Sequence, residues 1–208
     1  MTKTIIFDFD GTLADTFQIA IKNLNELCEK FGKEKIKEPN KLREKTVREA
    51  IREDFKISIF QIPFYIKQAQ ELMKSKIEEI KLFRDIKEVL TELSEKYHYN
   101  IGILTSNSRE TVQKVLDKEK IEYIKFIFSN SSILGKHRSI KKLLKDRNLK
   151  NEDIIYVGDE ARDIEVCRKL KTKMITVSWG WNSKKMLQKF NPEHLVDNPK
   201  SLLNLLKR

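Results

Sequence analysis

Asp8 and Asp10 stand two residues apart at the end of a short apolar run, Thr4 to Phe7, and are followed by Gly11 and Thr12. The run predicts a buried strand. Side chains at i and i+2 of a strand share a side, so the two carboxylates are expected together where the strand ends. Carboxylates that close repel, and a cation between them relieves the repulsion. An oxygen-only site of this kind suits Mg2+. One carboxylate can act as a nucleophile and form an aspartyl-phosphate. The other can protonate a leaving oxygen and later deprotonate water. Gly11 permits a tight turn and can offer its N–H to an anion. A calcium loop is the competing reading of an Asp-rich turn. An EF-hand, however, needs further acidic residues downstream, ending in Glu, and Leu13 and Ala14 stand there instead.

Three later stretches carry groups that could join this pair. Ile154 to Val157 is a second apolar strand, followed by Gly158, Asp159 and, four residues on, Asp163 at the start of a helix. Asp159 is expected beside Asp8 and Asp10 if the strands are neighbours. Asp163 faces the same side one helical turn later, or serves the helix dipole. Tyr99 to Leu104 is a strand ending in Thr105-Ser106-Asn107-Ser108. These side chains can hold phosphate oxygens or cap the helix expected from Arg109 to Glu119. Lys136 lies in an expected loop, Ser129 to His137, before a helix through Ile140, Leu143 and Leu144. In so basic a chain a single lysine, like His137 next to it, reads first as surface.

The elements between these groups follow from periodicity. Phe17, Ile21, Leu24, Cys28 and Phe31 form a helical stripe closed by Gly32. A polar loop, 33–40, precedes a weaker helix through Leu42, Val47, Ala50 and Ile51. After the apolar run Ile57 to Ile62, Pro63 starts a helix to about Ile80, its inner face predicted as Phe64, Ala69, Leu72, Met73, Ile77 and Ile80. Residues 17–80 are thus expected to be helical, a cap inserted after the first strand, with 1–16 and 81–208 forming the core. Ile86, Val89, Leu90, Leu93 and Tyr97 mark the returning helix. Strands are expected at Phe126 to Phe128, Met174 to Val177 and Leu195-Val196, with a last helix from about Ser201. Alternating strands and helices predict an α/β fold with a mostly parallel sheet. Its ligands bind at the carboxyl ends of strands, where Asp8, Thr105 and Asp159 fall.

Composition narrows the partners. The 208 residues are 39% apolar and 35% charged, with a formal net charge of +11. Such a balance favours anionic partners, although the lysines are spread along the whole chain as on a solvated surface. No aromatic-interleaved basic patch or recognition motif supports specific nucleic-acid binding. Two cysteines, Cys28 and Cys167, fit a reducing, cytoplasmic setting. Met1-Thr2-Lys3 leaves no room for a signal peptide, and no apolar run approaches a membrane span.

Taken together, the motifs resemble those of the haloacid dehalogenase-like hydrolase superfamily. Ile5 to Thr16 is similar to its first motif in the phosphatase members. Thr105 matches the second, with Ser106 as the other register. Lys136 falls at the third, where Gly135-Lys136-His137 stands for a frequent Gly-Lys-Pro. Gly158-Asp159 with Asp163 matches the fourth. The Trp179-Gly180 turn resembles phosphoglycolate-phosphatase-like members, whereas Arg84-Asp85 replaces a frequent Pro-Gly. The resemblance implies a three-layer, Rossmann-like core with a helical cap and a Mg2+-dependent phosphatase for a small, phosphoglycolate-like phosphate monoester. In that scheme Asp8 is the nucleophile and Asp10 the acid and base. Gly11, Thr105, Ser106, Asn107 and Lys136 bind phosphate. Asp8, the Asp10 carbonyl, Asp159 and Asp163 carry the metal, and the cap excludes water. A phosphomutase, nucleotidase or pyrophosphatase shares these residues, while a dehalogenase needs neither Asp10 nor the metal. The expected partner is a small phosphorylated metabolite, met by a monomer or homodimer.

Overall fold

Alternate residues of the first strand, β1 (Thr4–Phe7), leave on opposite faces: Ile5 and Phe7 enter one apolar cluster and Ile6 another. The structure, a computed structural model, describes residues 3–58, 60–130 and 135–207. Ile59 of the apolar run before Pro63, and Ser131, Ser132, Ile133 and Leu134 of the segment before Lys136, lie outside the described residues. The other strands are β2 (Asn100–Thr105), β3 (Ile124–Ser129), β4 (Ile154–Gly158), β5 (Lys173–Val177) and β6 (Leu195–Val196). They form one sheet in the order β3-β2-β1-β4-β5-β6, and every neighbouring pair is parallel. β1 is central, paired with β2 on one side and β4 on the other.

Helices cover both faces, so the core has three layers. In chain order the helices are α1 (Phe17–Lys30), α2 (Pro39–Leu42), α3 (Val47–Glu49), α4 (Ile62–Ser75), α5 (Ile86–Thr91), α6 (Arg109–Lys118), α7 (Lys136–Asp146), α8 (Ala161–Leu170), α9 (Lys184–Gln188) and α10 (Pro199–Leu206). On one face α5, α6 and α10 bury Leu90, Val112 and Leu202 against Ile5, Phe7, Ile103 and Val177. On the other, α7, α8 and α9 bury Leu143, Cys167 and Leu187 against Ile6, Tyr156 and Met174. A third cluster joins Phe17, Ile21, Leu42 and Ala50 within the helical segment, with Trp181 of the core packed against it.

Between β1 and α5 the chain holds no strand among its described residues, in keeping with its missing period-two pattern. The helices are shorter than periodicity suggests. The single helix expected through Leu42 and Ile51 is divided into α2 and α3, and α3 runs on as a wider turn, Ala50–Asp54. Pro63 is at the start of α4, which stops at Ser75; a tight turn, Ile77–Glu79, follows. Phe64, placed on the inner face by its spacing, is half exposed, because Ile62 and Ile66 take the buried positions. Lys136 is the first residue of α7, not a loop residue. At Asp85 the backbone is left-handed, φ 65°, a conformation glycine adopts without strain.

The helical segment and the core are joined at both ends. Ile19, Ile77 and Ile80 belong to the core cluster itself. Asn182, in the turn after β5, ties three chain segments together. Its side chain accepts from Ala161 N (2.9 Å) and donates to the carbonyls of Arg43 (3.1 Å) and Lys45 (2.9 Å). Asn182→Ala strips partners from three backbone groups, and a buried polar group left unpaired costs about 1–3 kcal/mol. Denaturant unfolding should therefore show a loss of roughly 2–4 kcal/mol. A loss under about 0.5 kcal/mol, the usual size for a surface position, would show that Asn182 does not tie the segments.

Candidate functional site

Asp8 and Asp159 each follow the last residue of a strand, β1 and β4, and these strands are hydrogen-bonded neighbours. The Asp8 N–H continues the ladder by donating to Val157 O (2.9 Å). Asp163 stands in the first turn of α8, where its side chain accepts from Glu160 N (3.3 Å) and closes the helix end. Carboxylate oxygens of Asp8, Asp159 and Asp163 lie within 4.8 Å of one another, and all three residues are buried.

Each acid is held by specific donors. Asp8 accepts from the N–H of Phe9 (2.7 Å) through one oxygen and from the Lys136 ammonium through the other. Lys136 also pairs with Asp163, and lies over the Tyr156 ring at 5.2 Å. Asp159 accepts from Thr12 Oγ1 (2.8 Å) and Trp181 N (2.6 Å). Neither Thr12 nor Trp181 was distinguishable from its turn neighbours by spacing alone.

Three glycines leave room for these carboxylates. A Cβ on Gly11 would stand 2.1 Å from an Asp159 oxygen, and one on Gly180 would stand 2.1 Å from the Gly11 carbonyl. A Cβ on Gly158 would stand 2.4 Å from an Asp163 oxygen. Gly11 also needs its backbone freedom, with φ 78°. Its N–H, expected to face an anion, instead donates to Ala14 O (2.9 Å). Gly11 contributes the turn and the space, and its N–H is taken up inside that turn.

Asp10 turns to the β2 side. Its carboxylate accepts from Thr105 Oγ1 (3.5 Å) and Asn107 Nδ2 (3.4 Å) and is not one of the three clustered carboxylates. Thr105 Oγ1 also accepts from Asn107 N (2.9 Å), so the end of β2 supports Asp10. Ser108, not Ser106 or Asn107, caps α6. Ser106 accepts from Gln70 of α4 through its carbonyl (2.5 Å), which fastens the helical segment over this strand end. A notch of about 20 Å³ is lined by Asp8, Leu104, Thr105, Ser106, Asn130, Lys136, Ser139 and Arg162. A larger cavity of about 270 Å³ opens on the Asp10 side.

The electrostatics follow from burial and crowding. Burial, and then the Asp8 charge, push the Asp10 carboxyl up to about 6. Burial likewise raises Asp163 to about 6, against the lowering effect of Lys136 and with that of Asp8 added. Asp159 is raised well above the ordinary carboxylate range by burial and by Glu160, Asp8 and Asp163. For Lys136 burial acts downward, but Asp163 and Asp8 outweigh it and hold the ammonium above its usual range. Lys136 thus pairs with two of the three clustered acids. The donors are all oxygen, opposite ligands of a six-coordinate Mg2+ stand ~4.2 Å apart, and added positive charge relieves the crowding. The residues present therefore fit a small divalent cation.

These shifts set a pH dependence for the metal-free protein. Asp10 and Asp163 keep protons to about 6 when folded, against 3.8 in an open chain. The folded state then binds more protons, so the stability they contribute is present in full below about pH 4 and is lost as pH rises through about 6. In EDTA, Tm should fall between pH 4.5 and 7 by at least roughly 2–4 °C, and Asp10→Asn should flatten the slope. A Tm that rises steadily over that range contradicts the assignment.

Comparison with known proteins agrees with this geometry. The haloacid dehalogenase-like hydrolase family model matches residues 5–177. The chain is 28% identical over 204 residues to a phosphoglycolate phosphatase of Synechococcus elongatus, covering 97% of this chain and 95% of that one. It is 25% identical over 212 residues to the pyrophosphatase PpaX of Bacillus mycoides, covering 99% and 97%. In fold it is similar to a crystal structure described as a predicted phosphatase from Clostridium acetobutylicum, with a TM-score of 0.85 at 20% identity over 100% and 99% of the two chains. A haloacid dehalogenase-like hydrolase from Streptococcus pneumoniae gives a TM-score of 0.79 at 24% identity, covering 99% and 98%. With most of its length matched by the family model and an acidic cluster at the strand ends, the chain belongs to the haloacid dehalogenase-like hydrolases.

Proposed function

We propose that this hydrolase is a Mg2+-dependent phosphatase that cleaves small phosphate monoesters through an aspartyl-phosphate on Asp8. The observation that carries the reading is the pairing of Asp8, held by Lys136 beside Asp159 and Asp163, with a second acid, Asp10, whose carboxyl is poised near 6. The matched relatives named as a phosphoglycolate phosphatase and a pyrophosphatase support hydrolytic phosphoryl transfer, the first of them on a phosphate monoester. Asp8, Asp159 and Asp163 would hold Mg2+, and the bound ion would supply positive charge against the phosphoryl oxygens.

In the first half of the reaction an Asp8 oxygen attacks phosphorus and the bond to the ester oxygen breaks. The departing alkoxide takes the Asp10 proton and leaves as an alcohol. Lys136 faces the developing phosphoryl charge from the start of α7, with Thr105 and Ser106 also lining the notch. In the second half Asp10, now ionised, takes a proton from water. That water attacks phosphorus, inorganic phosphate leaves and Asp8 is regenerated. A carboxyl near 6 suits both duties, since it exchanges its proton close to neutral pH. Asn107 fits a positioning role, as its amide steers Asp10. A dehalogenase has no use for a protonated Asp10, so this residue favours the phosphatase.

Residues 17–80 act as the cap in this reading. Gln70 reaches Ser106 and Asn182 reaches the 43–45 backbone, which holds α4 and the chain between α2 and α3 against the core, where they would exclude bulk water. The polar partner is a phosphorylated metabolite.

Two sets of variants test the proposal. Asp10→Asn should lower turnover of alkyl phosphates by roughly 10²–10⁴-fold. Its first step should be less impaired with p-nitrophenyl phosphate, whose leaving group needs little protonation, while Asp8→Asn should abolish both reactions. Full turnover of alkyl phosphates by Asp10→Asn would remove Asp10 from the chemistry. Separately, Mg2+ should raise Tm, and more at pH 8 than at pH 5, because its ligands must first shed protons. Asp159→Asn should remove that rise; a rise independent of Asp159 places the ion elsewhere.

A further inference from the structure

The larger cavity beside Asp10, about 270 Å³, is walled almost wholly by carbon. Leu24 and Leu27 of α1, Ile51 and Phe55 after α3, and Ile66 and Met73 of α4 are among the wall residues. Its two cations are Lys33 and Arg162. Lys33 donates to the Phe55 carbonyl (2.9 Å), and Arg162 pairs with Glu160. The hydroxyls of the lining belong to Thr16 and Ser106, beside Asp10 at the floor, and to Tyr65.

A glycolate carboxylate placed here would give up water for a wall that is mostly carbon, with Lys33 the one lining cation that has no ion pair among the described residues, and a buried charge without a close partner is strongly disfavoured. Sugar hydroxyls would find partners at the floor and at Tyr65, and any turned to the carbon wall would lose their hydrogen bonds to water. Methylene groups gain from the same wall, by about 3–4-fold in affinity for each one taken out of water. The cavity meets the site at Asp10, the residue that protonates the leaving oxygen. The group filling it is therefore the alcohol half of the ester.

We propose that this protein selects phosphate monoesters of apolar alcohols, with an alkyl chain or aromatic ring lodged between α1 and α4. The inference rests on the phosphatase reading above and departs from the phosphoglycolate and pyrophosphate named for its relatives. Hydrolysis of such an ester yields the apolar alcohol and inorganic phosphate, with water as the only other reactant.

The test is a chain-length series of ethyl, butyl and hexyl phosphate, run beside phosphoglycolate, pyrophosphate and p-nitrophenyl phosphate with Mg2+, reading phosphate release. We expect kcat/KM to climb about 3–4-fold per methylene, roughly 10²-fold from ethyl to hexyl, and hexyl phosphate to exceed phosphoglycolate and pyrophosphate. Ala69→Phe, which fills the α4 side of the cavity, should bring the hexyl-to-ethyl ratio towards unity. A flat series, a ratio unmoved by Ala69→Phe, or a preference for phosphoglycolate or pyrophosphate overturns the inference and leaves the phosphatase standing. Release from none of the substrates overturns the phosphatase reading itself. Calorimetry with hexylphosphonate and ethylphosphonate then decides the cavity: tighter hexyl binding supports an apolar subsite, and equal affinities overturn it.

Discussion

Mutual repulsion among three buried carboxylates is the constraint on which the site depends. Asp8, Asp159 and Asp163 are brought within 4.8 Å of one another where water cannot screen them. Unpaired, such charges are expensive to bury, and groups so placed take up protons or attract cations. Lys136 answers part of the charge by bridging Asp8 and Asp163. Thr12 and the Trp181 N–H answer part of that on Asp159. What is left favours a further cation, and a phosphoryl group brought beside it would find positive charge already in place.

The fold serves this arrangement through strand order. β1 lies between β2 and β4, so the acid-bearing ends of β1 and β4 are adjacent and the hydroxyl-bearing end of β2 stands on the other side. Alternation along β1 buries Ile5 and Phe7 under one helical layer and Ile6 under the other, which fixes the register of the residues that follow. Gly11, Gly158 and Gly180 supply the space that carboxylates and backbone need at close quarters. Burial and the neighbouring acids oppose each other on Lys136 but add on Asp10, and this keeps the lysine charged while Asp10 sits near 6.

Much of this was legible in the sequence because the controlling patterns are local. Apolar runs ending in Asp8, Thr105 and Asp159 marked strands whose carboxyl ends carry chemistry, and each run is a strand. Helical stripes located α1 and α5. Periodicity said less where tertiary packing decides. Phe64 fitted a stripe, yet Ile62 and Ile66 reach the interior and leave it outside. The breaks between α2, α3 and α4 depend on how that segment folds onto Trp181 and Asn182, more than 100 residues away. Lys136 was legible as a residue but not as the first residue of a helix, and the Gly11 N–H was assigned to an anion because the turn that consumes it involves Ala14. Thr12, Trp181 and the Glu160–Arg162 pair carried no spacing signal, since each acts through a contact made only on folding. The carbon-walled cavity was equally invisible, because its faces come from separate helices.

The account stands on Asp8 as the atom donor to phosphorus. Its most direct test is acid quenching during turnover of a labelled phosphate monoester with Mg2+, followed by peptide mapping. The account predicts a phosphoryl group on the peptide carrying Asp8, formed and lost at rates consistent with turnover and absent from Asp8→Asn. Phosphate released at full rate with no labelled protein at any time, or a label on another residue, would contradict it.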